Sequence, residues 1–121
     1  MIQFNIQTSL NIPGLRRRHD RSLRATQLQL DNDVLKDSNY YIPKDTGELE
    51  RSSIRSSLIG KGRIYWSTKY ARKLYYNPDI NFRKEVNPNA QALWFEAAKA
   101  RRKEGWIEDV QRNYLDYFSR L

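Results

Sequence analysis

The spacing of apolar residues predicts a short strand and then a long helix in the first part of the chain. Residues 1–7 alternate strictly, with Ile2, Phe4 and Ile6 on one side, and a period of two is typical of a half-buried strand. We therefore expect an N-terminal strand or arm within residues 1–12. From Leu15 onwards, apolar or neutral residues recur at helical spacing, and this predicts a helix from about Pro13 or Leu15 to about Asp37. The residues of this stripe are Leu15, His19, Leu23, Leu30 and Val34.

The middle of the chain combines turn formers with short apolar segments. Pro43 disfavours a helical Ile42, and Asp45 or Thr46 is placed to cap a short helical turn that runs through residues 48–50. Residues 52–59 and 63–67 flank a Gly-Lys-Gly turn, which predicts a β-hairpin with Ile64 and Trp66 on one face. A short helix is predicted over residues 70–76.

The last third of the chain has the strongest periodicity. From Ala90 to Leu121, mostly apolar residues recur every three or four positions, as expected for a long amphipathic helix. The predicted stripe consists of Leu93, Ala97, Ala100, Glu104, Ile107, Gln111, Tyr114, Phe118 and Leu121. The order of elements is therefore strand, long helix, short mixed segments and long helix.

The composition favours one folded domain over residues 1–121. The chain is 39% hydrophobic and 12% aromatic with a mean hydropathy of −0.88, which describes a real core beneath a very polar surface. The absence of cysteine excludes disulfides, thiolate metal sites and cysteine nucleophiles. No apolar run has the length of a membrane span and the start lacks a signal-peptide pattern, so we expect a soluble, non-exported protein with no membrane partner.

The charge is concentrated in two segments. The formal net charge is +8, with a net +4 in residues 1–30 and a net +6 in residues 61–84. A positive field favours nucleic acid, acidic protein surfaces or anionic lipid. The first cluster lies at the start of the first predicted helix, where cations oppose the helix dipole, so we interpret it as a partner surface.

The sequence offers little for catalysis, and no cofactor or metal is predicted. His19 lies on the stripe of the first helix and is interpreted as a packing histidine. The Gly60–Gly62 segment lacks a full phosphate-binding pattern and is interpreted as a turn. Most carboxylates neighbour Lys or Arg on predicted helices, as expected for a solvated face.

Nucleic-acid binding is one functional hypothesis. The arginine cluster and the basic segment 61–84 combine cations with aromatic rings that could stack on bases: Tyr65, Trp66, Tyr70, Tyr75, Tyr76 and Phe82. Core packing is the favoured role for Trp66 and Tyr70. A small basic domain of this kind also fits a ribonuclease toxin that uses Arg, Lys and Tyr in place of a histidine base.

Three blocks carry a resemblance to a known family. The first reads Ile-Pro-Lys-Asp-Thr-Gly-Glu-Leu over residues 42–49 and continues to Ser52; the second covers residues 64–76 and contains Tyr-Ala-Arg; the third begins with Asn-Pro-Asn-Ala at residue 87 and contains Leu-Trp-Phe-Glu from residue 93. In this order and spacing the blocks resemble the minor capsid and tail-completion proteins of long-tailed bacteriophages. Aspartic proteases also contain Asp-Thr-Gly, but the chain has no second such motif.

The resemblance implies an α+β fold with a long N-terminal helix, a small antiparallel β-sheet and a long C-terminal helix. It also implies a non-enzymatic protein of the virion, located at the head-to-tail connector (neck) after assembly in the host cytoplasm. Such a protein would complete the tail or join head and tail as a ring, a hexamer or dodecamer, around the DNA channel. Its partners would be itself, the neighbouring connector or stopper and tail-terminator proteins, and, through non-specific contact, packaged double-stranded DNA.

The matching blocks supply the candidate interface residues, with core packing as the alternative for Trp94 and Tyr70. They are Pro43, Asp45, Thr46, Gly47, Leu49, Ser52, Tyr70, Ala71, Tyr75, Trp94 and Phe95. The candidate residues facing DNA or an acidic partner are Arg16, Arg17, Arg18, Arg21, Arg24, Arg63, Lys69, Arg72, Arg83 and Lys84.

Overall fold

The protein is mostly helical, and two long helices frame its shorter elements. The computed structural model describes residues 2–3, 12–82 and 84–120. The elements are β1 (Ile2–Gln3), α1 (Pro13–Asn39), α2 (Glu48–Ser56), β2 (Arg63–Ile64), α3 (Ala71–Tyr75) and α4 (Trp94–Arg120). The predicted long helices at both ends of the chain are confirmed.

Helices α1 and α4 pack against each other in antiparallel directions. Near the end of α1, Asp37 Oδ2 accepts a hydrogen bond from Trp106 Nε1 at 2.7 Å. Near its start, the His19 ring is hydrogen-bonded to the Tyr114 hydroxyl. We call residues 13–30 of α1 together with residues 107–120 of α4 the arm, because the main apolar core lies beyond them.

The core gathers side chains from both long helices, from the segment that follows α1, and from α2, β2 and α3. Its buried residues are Val34, Tyr41, Ile42, Leu49, Ile64, Ala71, Trp94, Phe95, Ala98 and Trp106. Trp66 is partly buried and packs against this cluster, as predicted, whereas Tyr70 is 42% exposed and the core role favoured for it is wrong.

The face that α1 buries is more polar than the predicted stripe. Val34 and His19 are buried as expected, but Leu15 is 42% exposed. The remaining fully buried positions are Ser22, Thr26, Asp31 and Ser38, and Ser22 satisfies its hydroxyl on the Arg18 carbonyl at 2.8 Å. Asp31 is satisfied by the Gln27 amide and by the N–H groups of Gly60 and Gly62. Hydrophobic periodicity located the helix but missed these positions, because it scores small or hydrogen-bonded polar side chains as exposed.

The predicted stripe of α4 is wrong in its first half. The helix begins at Trp94, four residues after the predicted start, and Leu93 before it has a positive φ of 50°. The buried side chains are Trp94, Phe95, Ala98 and Trp106, while Leu93 and Ile107 are exposed. One residue corresponds to about 100° around a helix axis, so the tryptophans define a face adjacent to the predicted one.

The predicted hairpin and small antiparallel sheet are also corrected. Residues 52–56 belong to α2, where the buried Ser52 and Ser53 hydroxyls donate to the carbonyls of Leu49 and Glu50. Among the described residues, extended pairing is limited to the two-residue antiparallel contact of β1 with β2 and a bridge between Leu58 and Arg63. This pairing is too short to form the predicted sheet. Residues 4–7 of the predicted strand lie outside the described residues.

Candidate functional site

The loop before α2 is fixed by hydrogen bonds of the Asp-Thr-Gly segment. Gly47 caps α2 with φ +79°, a left-handed conformation that glycine adopts without steric cost. The prediction placed the cap at Asp45 or Thr46, and the N-cap is Gly47 instead; from the position before it, Thr46 Oγ1 accepts the Glu48 N–H at 3.3 Å. Arg51 reaches back from α2 and donates to the Thr46 carbonyl at 3.2 Å. The loop is therefore held in one conformation by its own side chains.

An open groove of about 410 Å³ lies beside this loop. Residues from the first two matching blocks line it, together with the segment after α3: Pro43, Asp45, Thr46, Gly47, Leu49, Tyr70, Leu74, Ile80, Asn81 and Phe82. Leu49 is buried in the floor, whereas Tyr70 stays 42% exposed. We call this surface the motif groove. It brings together six of the predicted interface residues: Pro43, Asp45, Thr46, Gly47, Leu49 and Tyr70.

Asn87 from the third block holds the other end of the same loop. Its side-chain amide donates to the carbonyls of Tyr40 and Ile42, both at 2.8 Å. Its Oδ1 accepts the Asn89 N–H at 3.1 Å, and the Gln91 N–H donates to the Tyr41 carbonyl at 3.0 Å. The third block is thus bonded to the start of the first block, and these hydrogen bonds stabilise the loop of the motif groove from behind.

Serine side chains fasten α2 to the segment that follows β2. Ser52 Oγ accepts the Ser67 N–H at 3.1 Å, and Ser57 Oγ accepts the Tyr65 N–H at 2.9 Å. Asn39 adds a bridge, since its amide donates to Ser53 Oγ and its Oδ1 accepts the Trp66 indole N–H, both at 2.9 Å. Of these serines, only Ser52 was predicted from the sequence as a functional residue. The two Ser-Ser pairs within residues 52–57 were the signal that could have identified the others.

The other predicted interface residues lie mostly inside the chain. Trp94 is 1% exposed and contacts Tyr75 edge-on, with ring centroids 4.8 Å apart. Phe95 and Ala71 are buried in the same core, so Tyr75 is the one of these four with an appreciable exposed fraction. Partial burial, followed by the nearby Glu96 charge, raises the pKa of Tyr75 to about 12.

The predicted cations are exposed but lie on separate elements. Arg16, Arg17, Arg18, Arg21 and Arg24 are all exposed on α1, and the Arg18 guanidinium lies 5.5 Å from the ring centroid of Phe118. Arg63, Lys69, Arg72 and Lys84 are exposed around β2 and α3, and Arg83 lies outside the described residues. The first group lies on the arm, whereas the motif groove belongs to the body of the protein.

The single histidine of the chain, His19 on α1, is a packing residue. His19 is buried against Tyr114, with a ring-centroid distance of 5.5 Å, so its predicted packing role is confirmed. Within residues 2–3, 12–82 and 84–120, no group of three His, Asp or Glu side chains is placed to hold a metal ion. None of the helices in this part of the chain is both long and apolar enough to cross a bilayer.

The fold and the motif groove define a mostly helical protein in which the first two sequence blocks line one accessible surface and the third block supports it through Asn87. The family model for minor capsid proteins matches residues 6–114 of the chain. The chain therefore belongs to the minor capsid protein family of bacteriophages, a family of structural proteins of the virion, and this membership implies a non-enzymatic role. No curated protein and no solved structure matches it significantly.

Proposed function

We propose that this minor capsid protein acts at the head-to-tail connector, or neck, of the phage. There it completes the tail or joins head and tail as a homo-oligomeric ring, a hexamer or dodecamer, around the DNA channel. Its partners are copies of itself and the neighbouring connector or stopper and tail-terminator proteins. The observation that carries the proposal is the motif groove, which unites the family-like residues of separate blocks on one accessible surface.

The motif groove has the properties of a pre-formed binding site. Its loop is fixed at one end by Thr46 and Arg51 and at the other by Asn87. Rigid sites lose little conformational entropy on binding, and aromatic residues such as Tyr70 commonly dominate interface energies. The groove is therefore suited to an apolar side chain presented by a neighbouring subunit.

A ring built from head-to-tail contacts needs two different complementary surfaces on each subunit. The motif groove supplies the concave one. A ridge of two exposed apolar side chains is available on α4, where Ile107 is 49% exposed and Leu115, about two turns further along, is 67% exposed. We infer that this ridge of one copy occupies the motif groove of the next.

The location is tested on purified virions. Direct imaging of the head–tail junction, with native mass spectrometry of released neck complexes, should find a closed ring of this protein. Mass alone is insufficient, since a subunit can stay monomeric until a neighbour templates the ring. Virions that contain no copies, or copies spread over the head surface, would contradict the proposal.

The role of the motif groove is tested by a matched pair of tyrosine variants. Tyr70→Ala removes an exposed ring from the groove, and Tyr76→Ala removes an exposed ring outside it. We expect Tyr70→Ala to reduce the number of copies per particle at least tenfold, while Tyr76→Ala leaves it unchanged. Equal copy numbers for both variants, with both proteins folded, would show that the motif groove is not the interface.

A further inference from the structure

Three arginines form a stripe on the exposed side of the arm. Arg17, Arg21 and Arg24 follow one another at i, i+4 and i+7, so they share one face of α1. All three are exposed, and together they cover about 10 Å along the helix axis at 1.5 Å per residue. We call these residues the arginine stripe.

The positive charge of the stripe is not neutralised within the described part of the chain. Asp20 is the one acidic residue among residues 13–30, and it is exposed and forms no ion pair with the stripe there. On the facing helix, Asp109 is paired with Arg112 and Asp116 with Arg120.

The chemistry of the stripe favours a polyphosphate over an acidic protein. Protein interfaces obtain most of their affinity from aromatic and aliphatic anchors, and on this face an exposed apolar residue, Leu28, comes only after the last arginine. Duplex DNA needs no such anchor, because it presents one phosphate charge about every 1.7 Å of its axis. A rigid row of about 10 Å therefore faces several phosphates at once.

We propose that the arginine stripe binds the phosphate backbone of duplex DNA without reading its sequence. The inference deepens the proposed function, since it assigns the exposed face of α1 in the arm to the DNA and leaves the α4 ridge and the motif groove for neighbouring subunits. Phosphate contacts of this kind position a protein on a duplex but carry no sequence information. The affinity should accordingly be independent of sequence and strongly dependent on salt.

The test compares two variants of the full chain that lose the same charge. Arg17→Ala/Arg21→Ala/Arg24→Ala removes the stripe, and the control Lys36→Ala/Lys99→Ala/Lys103→Ala removes three exposed cations of the long helices outside the predicted DNA-facing set. Binding to a fluorescein-labelled duplex is measured by anisotropy between about 50 and 200 mM NaCl. Three phosphate contacts contribute a log–log salt slope of about −2.7, so the stripe variant should lose about that much slope and the control variant almost none.

Equal losses in the two variants would show that only the net charge matters, and an unchanged stripe variant would exclude the stripe; either result overturns the proposal. A competition experiment separately tests the identity of the partner. Unlabelled duplex of unrelated sequence should displace the probe at a lower charge concentration than polyglutamate does, and the reverse order would identify an acidic protein as the partner. Copies of the stripe variant per virion are counted in parallel, since normal incorporation without DNA binding separates this inference from the ring.

Discussion

The carboxylate of Asp31 lies 2.9 Å from the backbone nitrogen of Gly62, although 31 residues separate them in the chain. The same oxygen accepts the Gly60 N–H at 2.7 Å, and the other oxygen accepts the Gln27 amide at 2.8 Å. Both glycines have positive φ, +93° and +74°, so the turn directs its two N–H groups at one acceptor. A buried side chain of α1 thus fixes the turn before β2.

Replacing Asp31 with alanine should destabilise the protein by about 3 kcal/mol, because three donors lose a charged acceptor in a buried site. Urea unfolding of the two proteins measures the difference. Asp33→Ala is the matched control: Asp33 accepts one bond from Gln29 at 3.0 Å and is only half-buried, so its loss should cost less than about 1 kcal/mol. Similar losses for both variants would mean that Asp31 does not anchor the turn.

Asn87→Ala should cost about 2–3 kcal/mol of stability, since the Tyr40 and Ile42 carbonyls would lose their side-chain donor in a buried region. The comparison variant is Asn89→Ala. Asn89 contributes its backbone N–H to this network, which alanine retains. Chemical denaturation should therefore separate the two variants clearly. If the Asn87 variant were as stable as the Asn89 variant, the hydrogen bonds of Asn87 would not be what supports the motif groove.

Two glycine substitutions should change stability in opposite directions. Gly47→Ala places a side chain on a left-handed residue and brings Cβ within 3.0 Å of Arg51 Nη1, so a loss of about 1–2 kcal/mol is expected. Gly14→Ala lies in α1 with nothing within 4 Å of the new Cβ, so a gain of about 0.5 kcal/mol is expected. Thermal unfolding of both variants decides this. A stable Gly47→Ala protein would show that the loop before α2 tolerates another conformation.

Alkaline pH should weaken the fold through Tyr75. The folded protein keeps the pKa of this phenol at about 12, whereas its ordinary value is 10.0, so the unfolded chain releases the proton first. Stability from this group is complete below pH 10 and is lost as the pH rises towards 12. Tyr75→Phe should flatten that part of the stability profile. Tyr76→Phe, which removes a mostly exposed phenol next to it, should leave the profile steep.

The sequence predicted the long helices because their signals are local. Pro13 opens α1, and the three- and four-residue spacing of apolar groups persists over both α1 and α4. Which residues of each helix face the core was harder to predict from the sequence. Where α4 begins depends on Leu93, whose N–H donates to the Tyr75 carbonyl at 2.9 Å, and a contact to a distant residue has no local signature.

The motif groove was predicted only as separate pieces. The resemblance marked the loop residues and Tyr70, but their meeting on one surface depends on the path of the chain between them. The hairpin prediction failed for a related reason: a segment that alternates serine with isoleucine satisfies a strand pattern, yet its buried hydroxyls find acceptors in the preceding helical turn. Side-chain hydrogen bonding of this kind is decided by tertiary packing.

The pairing of α1 with α4 also has a consequence for how quickly the native state is reached. Helical proteins usually fold fast, because most of their contacts join residues close in sequence. Here the hydrogen bonds between the two helices join residues separated by 69 and 95 positions. The loop-closure entropy must be overcome before either contact forms, so this helical chain should fold at a rate typical of mixed α/β domains. Newly made subunits would then spend longer without a finished arm than helix content alone suggests.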